Sequence, residues 1–254
     1  MAAPLARASA ERALALNPSD PRPRFVVAGV EVAHDYRWRS AEDHFRAART
    51  APDISPDARW IYSSVYLAAL GRFDEATAEM GRAVEQDPLN AMWRGIWAAT
   101  YLNGGNAQRS LEEAERAVEL DPHHVAPLFI LGEALVALGR MDEALVHVEA
   151  AYHRAPWTMA AGLLASMLAK RGDTARAASI LEQMGPSPSP VWGRVLYHLH
   201  MSEIDSAADW YERMIDARDP FALIYAAGQI TAPLRAHPRW RQLAERMKLP
   251  TNNS

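Results

Sequence analysis

Gly71-Arg-Phe-Asp-Glu-Ala76, with Ala83 and Asp87-Pro88 following, is answered 34 residues on by Gly105, Ser110, Ala117 and Asp121-Pro122. A further 34 residues on it is answered by Gly139-Arg-Met-Asp-Glu-Ala144, Ala151 and Ala155-Pro156. One fixed period, small residues in two fixed columns and a closing proline describe a unit of two helices. Such a unit cannot bury its apolar face alone and has to stack on copies of itself. Outward from this centre, the second-helix marker runs Ala13, Ala48, Ala83, Ala117, Ala151, Met184 and Met214. The spacing is regular in the middle and drifts toward the ends, as expected where a terminal unit has one neighbour and insertions fall in loops.

Within residues 57–88 the first helix is expected over 58–70 and the second over 74–86. Gly71 supplies a left-handed turn between them. Asp74 is placed to cap the second helix, with Glu75 in its first turn, and Asp87-Pro88 ends it. Ala76, Ala83, Ala117, Ala144 and Ala151 read as close-approach positions. The large residues Trp60, Leu67, Trp97, Tyr101, Leu128, Leu131 and Leu135 read as their packing partners.

The 34-residue period, the small columns and the partial Trp-x2-Leu-Gly-x2-Tyr pattern that ends in Leu131-Gly132 resemble the tetratricopeptide repeat. The resemblance implies an all-α fold, a right-handed α-solenoid of stacked helix-turn-helix units whose first helices line a concave groove. Residues 1–18 then correspond to an orphan second helix, leaving Leu5, Leu14 and Leu16 without their usual partner. Residues 19–219 form the array, five clear units and one degenerate, and residues 220–254 a capping segment. Trp240, Leu243 and Met247, at i, i+3 and i+7, make that cap amphipathic. The half unit at the start suggests a truncated beginning or a shortened descendant of a larger protein.

The resemblance further implies a protein or peptide partner held in the groove. Its columns fall on Phe25 and Gly29, on Ile61, Val65 and Ala68, on Gly95 and Ala99, on Phe129, Glu133 and Val136, and on Leu163 and Met167. These residues lack the lysines and asparagines with which related arrays clamp acidic chaperone tails. They suit an apolar helix or extended segment, or, in a tightly wound superhelix, ordinary core. The stretches Ala207-Ala-Asp-Trp-Tyr-Glu-Arg-Met214 with Arg218-Asp-Pro220, and His34-Asp-Tyr-Arg-Trp38, resemble arrays at the C-termini of bacterial signalling proteins. That likeness implies an alternative role as the regulatory module of a kinase, adenylate cyclase or winged-helix transcription regulator, whose functional domain this sequence does not contain.

Composition narrows the chemistry. The 254 residues are 49% hydrophobic with a net charge of −4, which argues against a nucleic-acid partner. All but Lys170 and Lys248 of the 27 basic residues are arginine, which reads as base composition. With no cysteine there is no disulfide or thiolate chemistry. Residues 157–169 are too short an apolar run to span a bilayer, and the start has no signal-peptide pattern. A cytoplasmic, non-enzymatic protein without cofactor or metal is expected. His123-His124 reads as a solvated linker pair, and His198, His200, His147 and His153 lack ligand spacing. Glu112, Glu113, Glu115 and Glu119, beside Arg109 and Arg116, read as a solvated convex face with Glu112–Arg116 pairing. Residues 184–190, Met-Gly-Pro-Ser-Pro-Ser-Pro, read as a spacer or a polyproline ligand. The exposed N-terminal end offers a route to self-association.

Overall fold

The computed structural model describes residues 2–51, 53–155, 158–185 and 191–250; Pro156, Trp157 and the prolines at 186–190 lie outside them. The described residues contain helices and no strand. A first helix, α1 (Ala2–Leu16), packs on α2 (Arg22–Val30). Six antiparallel pairs follow: α2 with α3 (Trp38–Ala48), α4 (Pro56–Trp60) with α5 (Phe73–Gln86), α6 (Ala91–Asn103) with α7 (Ala107–Leu120), α8 (Val125–Ala137) with α9 (Met141–Arg154), α10 (Thr158–Lys170) with α11 (Thr174–Gln183), and α12 (Trp192–His200) with α13 (Ile204–Asp216). The chain closes with α14 (Phe221–Ile224), α15 (Ala232–Arg235) and α16 (Trp240–Arg246).

Each pair turns on one residue in the left-handed region: Tyr36, Gly71, Gly105, Gly139, Gly172 and Ser202. The next amide then reaches back to the end of the first helix, as in Arg72 N–H to Leu67 O (2.9 Å) and Glu203 N–H to His198 O (2.9 Å), satisfying carbonyls that the helix leaves open. The close-approach alanines Ala76, Ala83, Ala117, Ala144 and Ala151 are all fully buried. Packing is tightest between α10 and α12, where a Cβ on Gly162 would lie 1.7 Å from the Gly193 carbonyl oxygen. Trp97 and Tyr101 are half-buried at the edge of this core, and Trp93 is the buried aromatic of α6.

Several sequence expectations change. The first helix of the second pair begins at Pro56 and continues beyond Trp60 as wide π-type turns over Ile61–Leu67, marked by Ala68 N–H to Ser63 O (2.9 Å). Tyr36 to Gly71 is 35 residues, one more than the central period, and the extra residue is absorbed inside a helix and not in a loop. Asp74 does not cap α5. The capping position is Arg72, whose side chain instead makes a two-point contact with Glu75 (2.7 and 2.7 Å), because the turn delivers the chain into the helix two residues earlier. Arg140 and Glu143 repeat the arrangement at α9. True side-chain caps come from Ser55, Asn90, Asn106, Asp173 and His124. His124 is thus no idle linker residue, since its Nδ1 accepts the Ala126 amide.

Glu113 is not on a solvated face. It is 1% exposed and held by Arg94 (2.6 Å), Arg116 (2.8 Å) and Arg109 (3.7 Å), while Glu112 pairs with Arg109. One unit earlier Glu79 is held in the same way by Arg59 (2.7 Å), Arg82 (2.7 Å) and Arg49 (3.5 Å). Each cluster ties a first helix to its second. On α1 Leu5 and Leu16 are exposed, Leu14 is half-buried, and Arg7 pairs with Asp35.

The segment after α13 does more than cover the last pair. Helix α16 and the residue before it pack on α13, with Arg246 on Glu212 and Asp216 and Arg239 on Asp209 and Glu212. Leu243 and Met247 are buried beneath it. From there the chain reaches the first pair, where Trp38 Nε1 donates to the Met247 carbonyl at 3.0 Å and the Arg218 guanidinium lies 4.3 Å from the Tyr36 ring. The solenoid closes on its own beginning.

Candidate functional site on the concave face

First helices from five pairs turn toward residues 219–235, which cross the inside of the curve. Helix α14 packs on residues 61–67, and the turn at Gln229–Thr231 packs on α6. Ala227 lies 3.5 Å from where a Cβ of Gly71 would stand, and the Asn103 side chain lies 3.0 Å from the corresponding point on Gly228. Tyr225 stacks flat on Trp192, centroids 4.2 Å apart and planes 6° from parallel.

Local chemistry fixes this crossing segment. Asp219 Oδ1 accepts the Phe221 amide (3.0 Å) at the start of α14, while burial pushes the Asp219 carboxyl upward. Tyr211 donates its hydroxyl to the Ala222 carbonyl. Thr231 donates to the Tyr225 carbonyl (2.6 Å) and accepts from Arg235 (2.8 Å), so the turn is tied to itself before it meets the first helices.

The groove columns read from the sequence divide. Phe25, Val65, Phe129, Leu163 and Met167 are at most 5% exposed and sit in the core. Ile61 is half-buried against Gly29. Ala68, Gly95 and Ala99, together with one face of Phe129, line a small cavity of about 220 Å³ that also takes Trp60, Met92, Ile96 and the segment's Phe221 and Ile224. Glu133 and Val136 line a second cavity of about 620 Å³ with Asn103, Leu199, His200, Tyr225 and Gln229.

Burial governs the electrostatics of the larger cavity. The Glu133 carboxyl is pushed up to about 8. His200 is pushed down to about 4 by burial, with Lys170 adding to the effect. Tyr225 is raised well above the usual tyrosine range. All three are therefore held in their uncharged forms near neutral pH. Among the described residues no three His, Cys, Asp or Glu side chains gather as metal ligands, and no helix is long and apolar enough to cross a membrane.

Sequence reasoning missed Phe221, Ile224, Tyr225 and Gln229, because the run Phe221-Ala-Leu-Ile-Tyr225 lies past the last periodic unit. Its four apolar residues around an alanine were the available signal. Met92 and Trp60 were missed as surface members of the face.

A family model described as Tetratricopeptide repeat matches residues 36–91 and 97–159. Among solved structures, a thermophilic tetratricopeptide-repeat protein of Thermus thermophilus is similar at 23% identity and a TM-score of 0.51, over 68% of this chain and 98% of that one. The pilF protein of Pseudomonas aeruginosa is similar at 16% identity and a TM-score of 0.55, over 81% of this chain and 95% of that one. At these identities the likeness is one of fold.

Proposed function

We propose that this chain, whose repeats match the tetratricopeptide-repeat family, is a non-enzymatic cytoplasmic scaffold that seats a short apolar segment of a partner protein on its concave face. The supporting observation is that the face already holds such a segment, its own residues 219–235, and keeps an open apolar cavity of about 220 Å³ beside it. Met92 is 37% exposed at the edge of that cavity, and Trp60 is half-buried across from it. A partner side chain entering there meets Ala68, Gly95 and Ala99, small enough to let a backbone approach, with Phe129 as the floor. Recognition is by preformed helices, so little ordering of the scaffold opposes binding.

The test is an isotherm for a peptide selected from a displayed library against the whole chain. Met92→Glu, which places a charge at the cavity mouth without entering the core, is expected to weaken the peptide at least tenfold while circular dichroism stays unchanged. Selected peptides indifferent to Met92→Glu and to Trp60→Ala would remove this face as the partner site. Phe129 is unsuitable for the purpose, since a carboxylate at a fully buried position disturbs the core itself.

A further inference from the structure

We propose that the larger concave cavity is a binding site for a small amphipathic amine, with Glu133 as counter-ion to its ammonium group. Four glutamates are buried among the described residues: Glu31, Glu79, Glu113 and Glu133. Glu79 and Glu113 are each ringed by three arginines, and Glu31 accepts the Ser40 hydroxyl at 2.8 Å through one oxygen while its other oxygen is buried without a partner, away from either concave cavity. Glu133 is 8% exposed, has no hydrogen bond or ion pair, and lines a cavity of about 620 Å³. A buried carboxyl with no partner is costly to a fold, and its complement is a cation with donors.

The groups facing Glu133 supply no such cation. From α6 comes the neutral Asn103, from α12 the neutral His200, and from the crossing segment Tyr225 and Gln229. Lys170, near the end of α10, acts on His200, and burial alone accounts for the shift at Glu133. Around the carboxyl the wall is apolar, with Val136 and Leu199, so a ligand needs a hydrocarbon body behind its charged end. The volume lies within the range of small-molecule sites, roughly 300–1,000 Å³.

The carboxyl keeps its proton up to about pH 8, so an arriving ammonium ion must displace it. Affinity therefore falls as pH drops below 8, by about tenfold per unit, and well below that pH each binding event releases close to one proton. This inference does not depend on a peptide occupying the groove.

Titration calorimetry of the whole chain with hexylammonium and with 1-hexanol, from pH 6.5 to 9 and in buffers of differing ionisation enthalpy, tests it. Expected are hexylammonium binding that tightens up to pH 8 and then levels off, and proton release that falls from near one at pH 6.5 toward zero at pH 9. Glu133→Gln is expected to lose hexylammonium by tenfold or more and to retain hexanol. Val136→Trp, which fills the cavity and keeps the carboxyl in the chain, is expected to lose both ligands and serves if the first variant does not fold. Hexylammonium binding no tighter than hexanol at pH 8.5, unaltered by Glu133→Gln, or surviving Val136→Trp, would overturn the proposal.

Discussion

Six residues carry the reversal between paired helices, and four are glycine. Gly71, Gly105 and Gly139 were legible from the sequence because they recur at one period. Tyr36 and Ser202 hold the same backbone conformation without the same chemistry; the period points to Tyr36, 35 residues before Gly71, and misses Ser202, 30 residues after Gly172. A non-glycine residue there is held against an unfavourable contact worth about 1–2 kcal/mol, part of which a glycine returns through its greater freedom in the unfolded chain. Ser202 is exposed and its side chain makes no hydrogen bond. Ser202→Gly should therefore stabilise the protein by about 0.5–1 kcal/mol, read as a higher urea midpoint with an unchanged slope. Glu133 shows the limit at this scale. Its column could be named from the repeat, but its isolation could not, because that depends on which residues other units and the crossing segment bring beside it.

Pairs of helices are held by more than apolar contact. The Glu79 and Glu113 clusters recur 34 residues apart, each joining an arginine of the first helix to an acid of the second. One helix read alone suggests i, i+4 pairing on a wet face, and that reading put Glu113 in solvent. The arginine that decides the matter stands 19 residues earlier, on another element. Its removal leaves a buried carboxylate short of its nearest inner partner, whereas Arg116 is 56% exposed and nearly dispensable. Arg94→Ala is expected to cost about 3 kcal/mol and Arg116→Ala less than about 1 kcal/mol in chemical denaturation. Equal costs for the two would show that burial does not set the strength of the cluster.

At the scale of the molecule, the period reveals a solenoid and hides its closure. The accessible surface is 12134 Å², close to the roughly 11,000 Å² of a globular protein of 28.1 kDa. Nothing periodic announces this, since the closing contacts come from Tyr36, Trp38, Arg218 and Met247, each used once. Leu243→Asp, which unseats α16, should open the ring. Small-angle scattering would then give a radius of gyration above the roughly 18 Å of a compact chain of this length, and a constant radius would mean that the interior segment alone holds the ring shut. The bond from Trp38 to Met247 also sets a timetable. It spans 209 residues, so ring closure adds a late, non-local step to an array whose other contacts are between neighbours. During synthesis at about 5–20 residues per second, the opening pair waits on the order of ten seconds or more with its tryptophan uncovered. A ribosome that stalls before residue 247 is translated would leave the solenoid assembled, open and adhesive.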